Sequence, residues 1–285
     1  MIPVHEAQLH PEPAAWSWAV PLVVLMVLAV GYWALARLQS AEPRGWNPWR
    51  TAAFLGGTVL LGHGLLVQTA PYPAGSLPAH MYQHLVIGMY APLALVLAAP
   101  VTLLLRSVPR RHGQMLGRVM RAWPMHFIAH PVTALLLSVG GLAALYFTPL
   151  YEAAASRPVL HALIHFHFFA AGYLFAWVIA GPDPAPRRPS VPARLVVLGF
   201  AIAGHAIISQ LLYAGLFVQV GAATAGELRQ AGELMYYAGD VAELLLAFAL
   251  VTSWRPVRAS RRPARFARPR EASRGGLGLR AANDP

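Results

Sequence analysis

Trp18 to Leu38 reads WAVPLVVLMVLAVGYWALARL, and its first ionisable side chain is Arg37. A helix rises 1.5 Å per residue, so a run of about 20 apolar residues matches the roughly 30 Å hydrocarbon core of a bilayer. No water is available there to satisfy backbone groups, so an unbroken apolar run of this length must close its own hydrogen bonds as a helix. Six further runs follow at Thr51 to Ala70, Met81 to Leu105, Val132 to Leu150, Val159 to Ala180, Leu195 to Val220 and Leu234 to Trp254. The chain therefore reads as an all-α, polytopic membrane bundle of seven transmembrane helices. Composition agrees: 57% of the 285 residues are hydrophobic and only 12% are charged, against about 25% charged in an ordinary soluble domain.

The joints between the runs set the orientation. All 22 basic residues are Arg, and 20 of them fall in alternate joints and the C-terminal tail, leaving only Arg157 and Arg229 on the other side. By the positive-inside rule the N-terminus is expected outside and the C-terminus in the cytoplasm. Residues 1–17 read as a short external tail, since Glu6 and Glu12 replace the basic n-region of a signal peptide. The segment 255–285, rich in Arg and Pro with few large apolar residues, is expected to be disordered. Its plain role is anchoring against the anionic lipid bilayer. In the joint from Arg106 to His130, Leu116, Val119, Met120 and Trp123 recur at helical spacing among arginines, which predicts an interfacial helix.

The absence of Lys excludes a retinal Schiff base, and the absence of Cys excludes disulfides, CxxC metal sites and thiolate chemistry. Gly-rich phosphate loops, Ser/His/Asp arrangements and nucleic-acid motifs are also missing, so neither a soluble catalytic domain nor a nucleic-acid partner is expected. What remains is a set of ionisable side chains inside the spans, each costly enough in lipid to be a functional candidate. They are His63, His80, His84, His161, His165, His167, His205, Asp240 and Glu243. On a rise of 1.5 Å per residue, His63, His84, His165 and Asp240 are expected about 5–10 Å below the external surface, in one layer. His80 and His84 are four residues apart, as are His161 and His165, so each pair shares a helix face. Imidazole pairs with a carboxylate nearby suit Cu or Zn, whereas Mg and Ca take mostly oxygen. Met81 and Met235, near the same layer, favour Cu(I). The plainer reading of any single His here is a hydrogen bond between helices, worth about 0.6 kcal/mol. His167 lies about 200° around its helix from His165 and is expected to touch another helix or the headgroups.

Three stretches carry a likeness to a known family. HMYQHLVIGMYAPLALVLAAP from His80 to Pro100, HALIHFHFFAAGYLFAWVIAGPDP from His161 to Pro184 and AGELMYYAGD from Ala231 to Asp240 resemble the caa3-type CtaG family of cytochrome c oxidase assembly factors. The likeness spans Trp46 to Trp254. It implies a multi-pass protein of the bacterial cytoplasmic membrane, non-enzymatic, that works with haem-copper oxidase subunits during assembly and handles copper. On it, His80, His84, His161 and His165 carry over as candidate ligands, with His63 and Asp240 added from the depth estimate. A periplasmic copper donor is the expected second partner. Two other functions fit the same residues: a haem protein with axial His ligands from facing helices, and a metal or proton-coupled transporter with Asp240, Glu243 and His205 as a relay.

Overall fold

A computed structural model describes residues 16–66, 70–186, 188–221 and 223–254. Most of the expected external tail, all of the Arg-rich tail at 255–285 and Arg187 lie outside the described residues. All regular structure among the described residues is helical. Five helices are long and apolar enough to cross a membrane: Ala19–Ser40, Leu77–Ser107, Pro158–Ala180, Val191–Ala214 and Ala225–Thr252. The other two expected spans are occupied by Pro48–Leu65, of 18 residues, and by the shorter apolar helix Pro131–Phe147.

The first two helices, α1 (Trp16–Ser40) and α2 (Pro48–Leu65), form a hairpin. α1 turns Val20, Val23, Val27 and Val30 outward, fully compatible with lipid as its solvent. The third span is the most buried of the five and is broken into α3 (Leu77–Leu85), a π segment (Val86–Tyr90), α4 (Ala91–Leu97) and α5 (Pro100–Ser107). Proline explains the breaks. Pro92 has no N–H to give to the carbonyl of Gly88, four residues before it, so the ladder slips into the wider π turn. Ala99 takes a left-handed φ of 55° immediately before Pro100, and the helix restarts there.

The joint after the third span folds as α6 (Arg110–Met120) and α7 (Trp123–Ile128). Neither buries a residue, and Met115, Val119, Trp123 and Phe127 stay exposed beside the arginines; the helix expected to run through Trp123 is two helices, broken at Arg121 and Ala122. Beyond it come α8 (Pro131–Phe147), the short α9 (Leu150–Ala155), α10 (Pro158–Ala180), α11 (Val191–Ala214) and α12 (Ala225–Thr252). α11 packs mainly on α12, while α10 lies between α8 on one side and the π segment and α4 on the other. One core cluster joins Met81, Leu85, Tyr146, Phe168 and Met235 near the start of α3 and α10. A second joins Val96, Phe175, Trp177, Leu198 and Leu250 towards their far ends.

Three boundaries differ most from the sequence expectation. α2 stops at Leu65, with Leu66 extended, rather than running to Ala70. α11 stops at Ala214 rather than Val220, because Gly215 adopts the left-handed cap conformation at φ 66°. α12 begins at Ala225, nine residues before Leu234, started by a reciprocal capping box between Thr224 and Glu227. Its first turns are polar, so hydropathy alone does not detect them.

Candidate metal centre

α3 is started by Ser76, whose hydroxyl accepts from the Ala79 N–H at 3.3 Å, and by Pro78 in the first turn. This places His80 in the first turn and His84 one turn further on the same face. α10 is started by Pro158 after Arg157, which places His161 and His165 in its first two turns. The face of α3 that carries His80 meets the face of α10 that carries His161 and His165. One ligating nitrogen from each of these three imidazoles lies within 4.8 Å of the other two. The rings are 4.3 Å apart for His161 and His165, 5.9 Å for His80 and His165, and 6.3 Å for His80 and His161.

Nε2 of His80 and Nε2 of His165 are buried without a hydrogen-bond partner. A buried polar atom left unpaired costs about 1–3 kcal/mol, so two such nitrogens on histidines of one cluster need an explanation. A transition-metal ion supplies one, because it would ligate both lone pairs at once. Aromatic rings close the sides. Tyr151, on α9, stands edge-on to His80 at 5.1 Å, and Tyr146 stands edge-on at 6.4 Å. Burial, with the Glu227 carboxylate nearby, pushes the Tyr151 phenol above its ordinary value, so it remains a neutral donor. The segment between α11 and α12 is tied across this end: Gln219 N–H donates to the Tyr146 carbonyl at 2.8 Å, and Gly221 N–H to the Glu152 carboxylate at 2.8 Å.

The grouping is not the expected layer of His63, His84, His165 and Asp240. His63 meets the Tyr82 hydroxyl at 2.8 Å. Tyr82 is two residues from His80, about 200° around α3, so this contact lies on the face turned to α2. His84 is 5% exposed and packs its ring edge-on against Phe168, 4.4 Å between centroids, one turn deeper than the cluster. Both of its ring nitrogens are buried without a partner. Asp240 is partly buried on α12 and stands outside the cluster. Depth along a helix is readable from sequence, but rotation is not, and rotation here is set by how α3 and α10 meet. Where the π segment that follows α3 crosses α10, Gly172 faces the Gly88 carbonyl so closely that a Cβ has no room.

Other polar candidates have definite partners. His167 reaches the Leu137 carbonyl on α8 at 3.1 Å, the contact to another helix expected from its position. His205 Nδ1 lies 2.6 Å from the Glu243 carboxylate, joining α11 to α12. Met81 and Met235 are buried in the core cluster beside Leu77. Sequence reasoning missed Tyr151, which sits in what reads as a connecting loop. The Thr-Pro before it, at Thr148 and Pro149, is the signal of a new helix start.

The Gly-Pro-Asp-Pro stretch is structural. Asp183 is 1% exposed; its carboxylate accepts from the N–H groups of Val101 and Thr102 at 3.0 and 2.7 Å and from the Thr102 hydroxyl at 2.6 Å. It therefore caps α5. The Arg188 guanidinium in turn donates to the Asp183 carbonyl at 2.7 Å.

Comparison with known proteins places this site in context. A sequence profile of the family described as cytochrome c oxidase caa3 assembly factor matches residues 11–256. A protein of Mycobacterium leprae (strain TN), described as uncharacterized, is 31% identical over 80% of this chain and 38% of its own length. Uncharacterized proteins of Mycobacterium bovis and Mycobacterium tuberculosis are each 30% identical over 80% of this chain and 37% of their own length. The chain thus spans well under half the length of these curated relatives. No solved structure matches significantly.

Proposed function

The chain belongs to the family of cytochrome c oxidase caa3 assembly factors, and from that premise we propose that it binds copper at His80, His161 and His165 and passes it to the haem-copper oxidase during assembly. The observation that carries this reading is the convergence of one nitrogen from each of three imidazoles within 4.8 Å, in a cluster where His80 and His165 each bury an unpaired Nε2. Three imidazoles suit copper and leave a coordination position open. An open position is what transfer requires, because a ligand of the donor or acceptor must bind before the imidazoles release. Imidazoles must be neutral to ligate, so protons compete with copper for the site. The role is that of a carrier, with no bond made or broken in a substrate and hence no enzymatic step.

Orientation follows from the 20 arginines on one side and two on the other. The starts of α3 and α10 then face the outside of the bacterial cytoplasmic membrane, where a periplasmic donor delivers copper. In cells, His80→Ala combined with His165→Ala is expected to lower oxidase copper content and activity at unchanged levels of the variant, whereas His63→Ala leaves both near wild type. Full oxidase copper in the double variant would remove the metal role.

A further inference from the structure

A second group of polar side chains lies deeper, between the π segment, α8, α10, α11 and α12. A cavity of about 30 Å³ opens there, lined among others by Gly88, Met89, Ser138, His205 and Glu243. That volume accommodates one small ion or one to two water molecules. His205 is 6% exposed and Glu243 only 2%. A carboxylate so deep in an apolar span is expensive unless something specific holds it there. One oxygen, Oε1, is engaged by His205 Nδ1 at 2.6 Å, while Oε2 is buried without a partner.

A carboxylate on one imidazole nitrogen is the usual arrangement behind a metal-ligating His. It accepts the N–H of that nitrogen, fixes the tautomer and the ring orientation, and leaves the other nitrogen with its lone pair free to ligate. With Nδ1 held by Glu243, the lone pair falls on Nε2 of His205. Met89, on the π segment, also lines the cavity and carries a thioether; a π turn is a distortion common at functional sites. Thioether with imidazole is the donor set of a soft monovalent cation, above all Cu(I).

His84 stands between this cavity and the outer cluster. Its ring lies against Gly88, where a Cβ would stand 3.4 Å from its Cε1, and Gly88 also lines the cavity. His80 Nε2, His165 Nε2, both His84 nitrogens and Glu243 Oε2 are all buried and unpaired. Unpaired buried atoms thus occur in the outer cluster, at the inner cavity and on His84.

We propose that Met89 and His205 form a second, inner Cu(I) site, oriented by Glu243 and reached from the outer cluster through His84. This deepens the copper reading given above and rests on it for the identity of the cargo, though not for the outer ligands.

The test supplies Cu(I), as an anaerobic chelator complex, to the full chain in detergent micelles and reads copper stoichiometry and copper X-ray absorption. A variant with His80, His161 and His165 all changed to Ala is expected to keep one of the wild-type equivalents, with sulfur scattering from its copper. Met89→Leu in that background removes the sulfur scattering, and Glu243→Gln weakens the remaining affinity about tenfold or more. Met89→Leu in the otherwise wild-type chain, a volume-conserving change, loses sulfur scattering while the outer equivalent stays bound. A triple variant that binds no copper, or copper in either background that shows no sulfur or ignores Met89→Leu, overturns the inner site. If wild type and triple variant instead bind the same single equivalent with sulfur scattering, the inner site stands and the outer centre falls.

Discussion

His80 and Gly172 show how much a single residue decides in this bundle. Gly172 has room for a hydrogen only, since a Cβ would run into the Gly88 carbonyl. Gly172→Ala must push α10 away from the π segment and with it shift His165 relative to His80. It is expected to destabilise the protein by about 1–3 kcal/mol or more, and to lower copper affinity, read by thermal unfolding and metal titration. Gly140→Ala on α8 is its control, because nothing lies within 4 Å of that Cβ; it should leave both unchanged. At this scale the sequence names candidate ligand groups but not their assembly. His80, His161 and His165 stand out as ionisable residues in apolar runs and come together in space. His63 and Asp240 stand out in the same way and do not join them, because periodicity within one helix carries no information about the neighbour it faces.

Elements in this fold are positioned by their ends. The third span is interrupted at Ala99, and its continuation α5 depends on Asp183, supplied by the exit of α10. Asp183→Ala removes three hydrogen bonds to one carboxylate and exposes the first N–H groups of α5 without a cap. A loss of about 2–3 kcal/mol is expected, with α5 the first segment to gain hydrogen exchange and Asp183→Asn intermediate. The Gly-Pro-Asp-Pro stretch is conspicuous in sequence as part of a family likeness, yet its role as a cap for a helix some 80 residues earlier needs the fold. The same holds for the two shifted boundaries. Gly215 and the Thr224/Glu227 box are explicit stop and start signals, but hydropathy runs past the first and begins late at the second.

Among the described residues five helices are long and apolar enough to cross a membrane, and length is what a sequence states most directly. Orientation rests on arginine alone, and the chain's lack of Cys makes it simple to check. Ser156→Cys, between α9 and α10, is expected to react with a membrane-impermeant maleimide in intact spheroplasts. Gln114→Cys, on α6, is expected to react only after lysis; the reverse pattern would invert the bundle and move the histidine cluster to the cytoplasmic face. The proposed copper centre is tested most directly by metal analysis of the protein purified anaerobically from copper-replete cells, wild type beside the variant with His80, His161 and His165 changed to Ala. Copper that copurifies with the wild type and falls by one equivalent in the variant, with the helical circular dichroism unchanged, is the predicted result. Equal copper in both samples, or none in either, would contradict a metal centre at these three histidines.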